Sequence, residues 1–217
     1  VDRFAKRDDI VGVLVANGSQ HPYGSRIYDP IYEKCAEYSL PLVIHTGSEG
    51  TGINGTPTPA GHPSYYAEHR QARPMGYMAH LASMVFEGLF ERFPELQVVF
   101  VEGGYTWLPT YLWRLDADWK GLRHQTPWVR RAPSEYILEH CKFTSQPMEL
   151  PSPQNKLMTI FEWAEAERTL MFASDYPHWD FDSPELSLPK MPPEMARNVF
   201  SETARTVFGL PAPVPAI

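Results

Sequence analysis

The sequence has few cysteines, no long apolar run and a deficit of positive charge. Its two cysteines, Cys35 and Cys141, cannot build a disulfide framework, which predicts a reducing, cytoplasmic location. No apolar stretch approaches the roughly 18 residues of a membrane span, so we expect no membrane partner. Lys and Arg number 19 against 26 Asp and Glu, and the resulting net charge of −7 argues against a nucleic-acid partner.

Two catalytic sequence patterns are also missing. The P-loop pattern GxxxxGK[ST] does not occur, so a phosphate-binding loop of that kind lacks its physical basis. The GxSxG pattern is absent as well, and Ser174 is not flanked by the glycines that a nucleophile elbow requires. These absences direct attention to histidines and carboxylates.

The chain is long and apolar enough to form a globular core. It has 217 residues, of which 43% are hydrophobic. Because domains contain about 150 residues on average, we predict a single domain over residues 1–217. Proline, with 22 residues, has about twice its usual share and predicts many stiff loops.

Short apolar runs rich in β-branched residues alternate with helical patterns, which predicts parallel βαβ units. The predicted strands are 10–15, 41–45, 97–101, 140–145 and 169–174. A helix is predicted to start at Asp29 and Pro30, where capping signals occur. Further helices are predicted over 78–93, 107–119, 154–166 and 193–208. Residues 46–74, rich in Gly, Pro, Thr and His, are expected to form an irregular functional or mobile loop.

Three polar side chains stand at the carboxyl ends of predicted strands. His45 ends one strand, Glu102 follows another, and Asp175 lies in the ASDYPHWD segment after the last. Ligands of parallel α/β folds bind beyond this edge of the sheet, so we expect these side chains to face one crevice. One histidine with carboxylates suits Zn²⁺, Mn²⁺ or Fe²⁺. The pattern therefore favours metal-assisted chemistry.

Each of these residues also has a purely structural interpretation. His45 fits a hydrogen-bonded strand end, Glu102 a salt-bridged turn and Asp175 a helix cap. His178 either orients Asp175 or is an ordinary loop residue. His80, beside an apolar helical stripe, is expected to be structural.

Five segments carry a resemblance to a known family. Taken in order, they are YDPIYEKCAEYSLPLVIHTG, FERFPELQVVFVEGG, WLPTYLWRLD, PSEYILEHCKFTSQP and LMFASDYPHWD. The chain resembles the amidohydrolase superfamily, in particular the amidohydrolase-2 group related to aminocarboxymuconate-semialdehyde decarboxylase. The resemblance implies a (β/α)8 TIM barrel with one divalent metal, usually zinc. It also implies that the five strands are barrel strands 4 to 8, which makes the chain a partial barrel.

The resemblance assigns roles to individual residues. His45 and Asp175 match metal ligands of the family, whereas Glu102 stands where decarboxylase members have a histidine. The family's His-x-His or Glu-x-His pair after the first strand has no counterpart here. We therefore expect strands 1 to 3, with further ligands, to belong to polypeptide upstream of Val1.

The hypothesis is a metal-dependent hydrolase or decarboxylase-like enzyme that uses a metal-bound water on a small carboxylated or cyclic organic substrate. His45, Asp175 and Glu102 are the candidate ligands of the divalent ion, which is zinc with manganese or iron as alternatives. Asp175 and Glu102 are also candidates for proton transfer. His178 is expected to orient Asp175.

The loop over 46–74 supplies the candidate substrate-binding residues. Arg70 and Arg73 are predicted to grip a substrate carboxylate, since guanidinium groups bind carboxylates through two parallel hydrogen bonds. The same loop is alternatively an oligomer contact, and a homodimer is expected. A hypothesis of another class is a non-catalytic partial barrel that binds a ligand or partner chain.

Overall fold

The computed structural model describes residues 1–212 as an α/β fold around one parallel sheet, so residues 213–217 of the predicted domain lie outside the described part. The strands are β1 Val13–Ala16, β2 Leu42–His45, β3 Val98–Val101, β4 Cys141–Thr144 and β5 Leu170–Met171. All five predicted strands are confirmed. The last is much shorter than predicted.

Helices follow or precede each strand. They are α1 Asp29–Glu37, α2 Tyr66–Arg70, α3 Ala72–Phe86, α4 Leu89–Arg92, α5 Leu108–Leu122, α6 Pro133–His140, α7 Leu157–Trp163, α8 Ala166–Thr169, α9 Pro193–Arg197 and α10 Thr203–Val207. A π-helical turn, Asn198–Glu202, joins the last two. The predicted helix over 193–208 is therefore continuous but carries an inserted wide turn.

The order of the strands distinguishes between two kinds of parallel sheet. The strands are hydrogen-bonded in the order β1-β2-β3-β4-β5, and each pair is parallel. A doubly wound sheet reverses its strand order at a switch point, whereas a barrel adds each new strand on the same side. The sequential order is that of an arc of a (β/α) barrel, as predicted.

Alternate residues of the strands face a helical layer. Phe100 of β3 stacks on Phe143 of β4, with ring centroids 5.4 Å apart. Tyr105 and Phe161 pack edge to face in the same buried cluster. These aromatic contacts hold the central strands against helix α7 and the segment before α5. The core thus fixes which strand residues face inward.

The opposite face of the sheet carries a second row of aligned side chains. Register places Leu14, Val43, Val99 and Lys142 side by side. Val99 in the middle is fully buried, whereas Leu14 on the edge strand is 69% exposed. Among the described residues, β1 and β5 are the two edges of the sheet.

Two segments differ from the prediction. The loop predicted over 46–74 contains α2 and the start of α3, whose first turn includes Pro74, a position where proline is tolerated because no hydrogen bond is lost. Helix α6 was not predicted, because its eight residues are too few for a clear apolar stripe. Pro133 at its first turn was the available signal.

Two compositional features have structural counterparts. Cys35 and Cys141 are buried free thiols, and burial raises the pKa of Cys35 to about 11 and that of Cys141 to about 12. Within residues 1–212, none of the helices combines the length and the apolar character needed to cross a membrane.

We predict opposite effects of two glycine substitutions. A Cβ at Gly103, just after β3, would lie 2.0 Å from the fully buried ring of Tyr77, so Gly103→Ala should destabilise the fold by about 1–3 kcal/mol or more. At Gly121 in α5 a Cβ meets no atom within 4 Å, and Gly121→Ala should stabilise by up to about 1 kcal/mol. Urea unfolding of both variants measures this; equal stabilities would contradict the described packing.

Candidate metal and substrate site

The sheet register brings His45 and Glu102 together. His45 is the last residue of β2 and pairs with Val101, so the next residue, Glu102, emerges beside it. His45 Nε2 lies 2.7 Å from Glu102 Oε1. Glu102 has a φ of 62°, in the left-handed region, and its backbone N–H donates to Thr144 Oγ1 on the neighbouring strand at 3.1 Å. Two of the three predicted metal-binding side chains are therefore in direct contact.

A backbone carbonyl sets the orientation of the His45 ring. Nδ1 lies 2.7 Å from the Thr46 carbonyl oxygen. Because a carbonyl only accepts hydrogen bonds, Nδ1 carries a proton. Nε2 faces the Glu102 carboxylate, which also accepts, so without an ion this 2.7 Å contact needs a proton between the two atoms, and a divalent ion would take the place of that proton.

Glu102 is buried, with only 7% of its surface exposed, and has three polar partners. Besides His45, its Oε2 accepts from Thr46 Oγ1 at 3.1 Å and from Arg73 at 3.3 Å. A buried carboxylate is costly unless it is paired and hydrogen-bonded. Arg73 supplies the opposite charge that this position requires.

Asp175 lies in a separate cluster beyond the end of β5. Its Oδ2 is 2.7 Å from His178 Nδ1, and its φ of 56° is again in the left-handed region. Asp175, His178 and Asp180 each offer a ligand atom, and these atoms lie within 4.8 Å of one another. Among residues 1–212, this is the one group of three potential metal-binding side chains whose ligand atoms all lie within 4.8 Å of one another. The predicted ligands are thus divided between two clusters, and their convergence on one ion stays a prediction.

The two predicted arginines connect these clusters. Arg70 in α2 forms an ion pair with Asp180 and lies over the Trp179 ring, 5.2 Å from its centroid. Arg73 in α3 binds Glu102. Both arginines and Glu102 line a cavity of about 180 Å³. Each predicted substrate-binding residue therefore lies at the site but is already paired with a carboxylate.

Two strand ends hold amide side chains that were not predicted. Asn17 follows β1 and donates from Nδ2 to Glu49 Oε1 at 2.7 Å. Gln146 lies after β4 and donates from Nε2 to the Asp180 carbonyl at 3.0 Å. Both side chains are almost fully buried, and the amide oxygen of each has no hydrogen-bond partner among the described residues. Their position after a strand is the available sequence signal, but an amide does not titrate, so its residue type alone does not indicate a functional role.

The loop after β2 also contains a glycine motif. Gly50, Gly52 and Gly55 fit the spacing GxGxxG of dinucleotide-binding proteins. In those proteins the motif joins a strand directly to the start of a helix. Here residues 50–55 lie among turns and bends, and the next helix, α2, begins at Tyr66. The glycine spacing therefore does not indicate a phosphate-binding loop.

His80 anchors the carboxyl end of β1, consistent with a structural role. Its Nδ1 accepts from the Tyr23 N–H at 3.2 Å, and its Nε2 donates to the Asn17 carbonyl at 2.8 Å. This arrangement needs the neutral ring, and burial lowers the pKa of His80 below its usual value of 6.5.

We predict that the free energy of unfolding falls as pH decreases from about 7.5 to 5.5. The unfolded chain binds a proton at His80 near its ordinary pKa, whereas the folded chain does not, so stability is present above about 6.5 and is lost below it. His80→Gln should reduce this slope, by at most about 1.4 kcal/mol per pH unit. It should not abolish the slope, because burial also lowers the pKa of His140.

The control is His124→Gln, at an exposed position after α5. It should leave the pH dependence unchanged. A wild-type slope in His80→Gln, measured by urea unfolding at several pH values, would contradict the prediction.

Comparisons with known proteins identify the family and the fold of the chain. Residues 3–210 match a family described as amidohydrolase. No curated protein sequence matches the chain significantly. Among solved structures, 5-carboxyvanillate decarboxylase from Sphingomonas paucimobilis has 20% identity and a TM-score of 0.68, and the alignment covers 96% of this chain and 61% of the other.

Two further structures are similar. An amidohydrolase from Mycobacterium avium subsp. paratuberculosis K-10 has 19% identity, a TM-score of 0.70 and coverage of 96% and 53% of the two chains. A dihydroxybenzoic acid decarboxylase from Polaromonas sp. JS666, with bound manganese and the inhibitor 2-nitroresorcinol, has 18% identity, a TM-score of 0.66 and coverage of 96% and 64%. At these low identities, the structural similarity shows the TIM-barrel fold alone. The chain spans about three fifths of the length of these structures or less.

Proposed function

Because the chain belongs to the amidohydrolase family, we propose that it is part of a metal-dependent enzyme that decarboxylates or hydrolyses a small carboxylated or cyclic organic compound. The observation that supports this most is the contact of His45 Nε2 with Glu102 Oε1, 2.7 Å, beside a cavity that Arg70 and Arg73 line. Decarboxylation has additional support from the two similar decarboxylases.

The donor atoms fit a divalent ion. Two ligand atoms that each lie about 2.1 Å from an ion are about 3 Å apart when they meet at a right angle. The 2.7 Å between His45 Nε2 and Glu102 Oε1 is close to that separation. We propose that His45, Glu102 and Asp175 hold the ion. Imidazole and carboxylate suit zinc, manganese or iron, and manganese in the Polaromonas structure makes it the first ion to test.

The protein groups have distinct proposed roles. A bound divalent ion would supply Lewis acidity and lower the pKa of a water molecule. Glu102 and Asp175 are placed to accept or return a proton, and His178 holds the Asp175 carboxylate through its 2.7 Å contact. Arg70 and Arg73 have donors beyond those used by Asp180 and Glu102, because a guanidinium carries five N–H groups. These donors would bind the substrate carboxylate.

A second candidate function is a partial barrel that binds a ligand or partner chain without turnover. The exposed edge favours it, because Leu14 on β1 is 69% exposed and a bare edge strand is a template for pairing. A homodimer is one such arrangement. The two buried free thiols support the further proposal of a reducing, cytoplasmic location.

We predict that His45→Ala lowers the affinity for Mn²⁺ or Zn²⁺ by at least about 10-fold and abolishes turnover, since it removes a ligand atom. Calorimetric titration of the 217-residue chain and an assay with 5-carboxyvanillate or 2,6-dihydroxybenzoate measure the two effects. The exposed His124→Ala is the matched control and should change neither. The longer polypeptide expected to supply strands 1 to 3 is measured in parallel: if it binds the metal without any turnover, the non-catalytic alternative is favoured, and if neither it nor this chain binds either ion, the metal site is contradicted.

We also predict that Arg73→Lys raises KM for a carboxylated substrate by about 10-fold. Lysine keeps the charge beside Glu102 but loses the fork that binds a carboxylate through two hydrogen bonds. Arg70→Lys should act in the same direction. The inhibition constant of an ester of the same compound, which cannot be decarboxylated, should not change, and equal effects on the acid and the ester would contradict carboxylate recognition.

A further inference from the structure

The loop after β2 contains a partly buried hydrogen-bond network that begins at the Nδ1 side of the His45 ring. Glu49 Oε1 accepts from the Gly47 N–H at 3.1 Å and from Asn17 Nδ2 at 2.7 Å. Two backbone hydrogen bonds bind the same loop to the end of β1, from Asn17 N to the His45 carbonyl and from Gly18 N to the Gly47 carbonyl. None of these groups belongs to the proposed ligand set.

One peptide unit connects this network to His45. The Thr46 carbonyl, which faces His45 Nδ1, and the Gly47 N–H, which faces Glu49, belong to the same peptide bond. A trans peptide is planar, and its C=O and N–H point in opposite directions. Fixing the N–H on one side therefore fixes the carbonyl on the other. Glu49 thereby determines where the acceptor for the His45 Nδ1 proton lies.

The backbone of this loop needs such a restraint. Gly47 has a φ of 140° and Ser48 a φ of 62°, both positive. A non-glycine residue with a positive φ is uncommon and persists when surrounding contacts over-determine it. The carboxylate of Glu49, one residue further, provides a contact of this kind.

The side-chain amide of Asn17 is oriented so that its Nδ2 donates to Glu49. Its amide lies against Gly76 of α3, where a Cβ would come within 2.4 Å of Oδ1. Asn17 is 3% exposed, and its Oδ1 has no partner among the described residues. The reversed amide would turn this oxygen toward the Glu49 carboxylate, where two acceptors repel. A buried acceptor without a partner costs free energy, which indicates that the Nδ2 contact with Glu49 compensates for it.

We propose that Glu49, held by Asn17, is a positioning residue that orients His45 through the Thr46–Gly47 peptide and so presents Nε2 to the metal. The inference rests on the proposed function for the metal, but the orientation of the ring can be tested without metal. Groups that hold the second nitrogen of a ligating histidine usually contribute about 10- to 100-fold to metal affinity.

The test compares Glu49→Ala, Glu49→Gln and, as a matched control, Glu33→Ala at an exposed position of α1 in the 217-residue chain. Long-range ¹H–¹⁵N NMR of labelled histidines reports whether Nδ1 of His45 carries a hydrogen-bonded proton in the metal-free chain, and titration with Mn²⁺ alone reports affinity. We expect Glu49→Ala to reduce the Nδ1 proton signal, because the Thr46 carbonyl is no longer held in place, and to lower Mn²⁺ affinity by about 10- to 100-fold. Glu49→Gln should largely restore both, because its amide oxygen can accept the same two hydrogen bonds. Glu33→Ala should match the wild type.

An Nδ1 proton signal as in the wild type, together with wild-type Mn²⁺ affinity, in Glu49→Ala would overturn the proposal. If Glu49→Ala does not fold, Asn17→Ala takes its place, since His80 holds the Asn17 backbone rather than its side chain. An unchanged Nδ1 proton signal in Asn17→Ala would then overturn the proposal, and its loss would support it. If neither this chain nor the longer polypeptide expected to supply strands 1 to 3 binds Mn²⁺, the proposed metal site fails, while the Nδ1 measurement still decides the role of Glu49.

Discussion

The candidate site depends on the parallel register between β2 and β3. Because His45 is aligned with Val101, the residue that follows β3 emerges next to the imidazole ring. Side chains alternate along a strand, so a register shift of one residue would turn Glu102 to the opposite face of the sheet. The same shift would move Phe100 out of its stacked contact with Phe143 in the core. Burial of these aromatic rings therefore fixes the relative position of His45 and Glu102 at the edge of the sheet.

The parts of the fold that local patterns specify were predictable from the sequence. The five strands follow from apolar, β-branched runs, and α1 from its acidic and proline start signals. Helix α2 was not predictable in this way, because five residues are too few for a helical pattern. Its Arg70 forms an ion pair with Asp180, which lies 110 residues away in sequence. Contacts over such distances have no local sequence signal.

The same distinction applies to the site. The contact of His45 with Glu102 could be predicted because the ends of parallel strands meet at one edge. The separation of Asp175 from that pair could not be predicted from the sequence. Strand β5 ends at Met171, and Asp175, which follows it, lies next to His178 and Asp180. The strand-end rule would also have identified Asn17. An amide acts through its hydrogen bonds, and these depend on Glu49, which only the folded loop brings into contact.

The two carboxylate oxygens of Glu102 have different hydrogen-bond partners, because one of them pairs with the positive charge of Arg73. Oε2 accepts from Thr46 and Arg73, which compensate for burial of the carboxylate and fix the direction of its plane. Oε1 is then left facing His45 Nε2. The ring on the other side is fixed by its own contact with the Thr46 carbonyl. Both donor atoms of the pair are therefore held by neighbours that bind their opposite ends, so the geometry is established by the protein before any ion binds. Such preorganisation of two ligand atoms on rigid strand ends favours metal binding, since neither of these two side chains then has to be ordered when the ion binds.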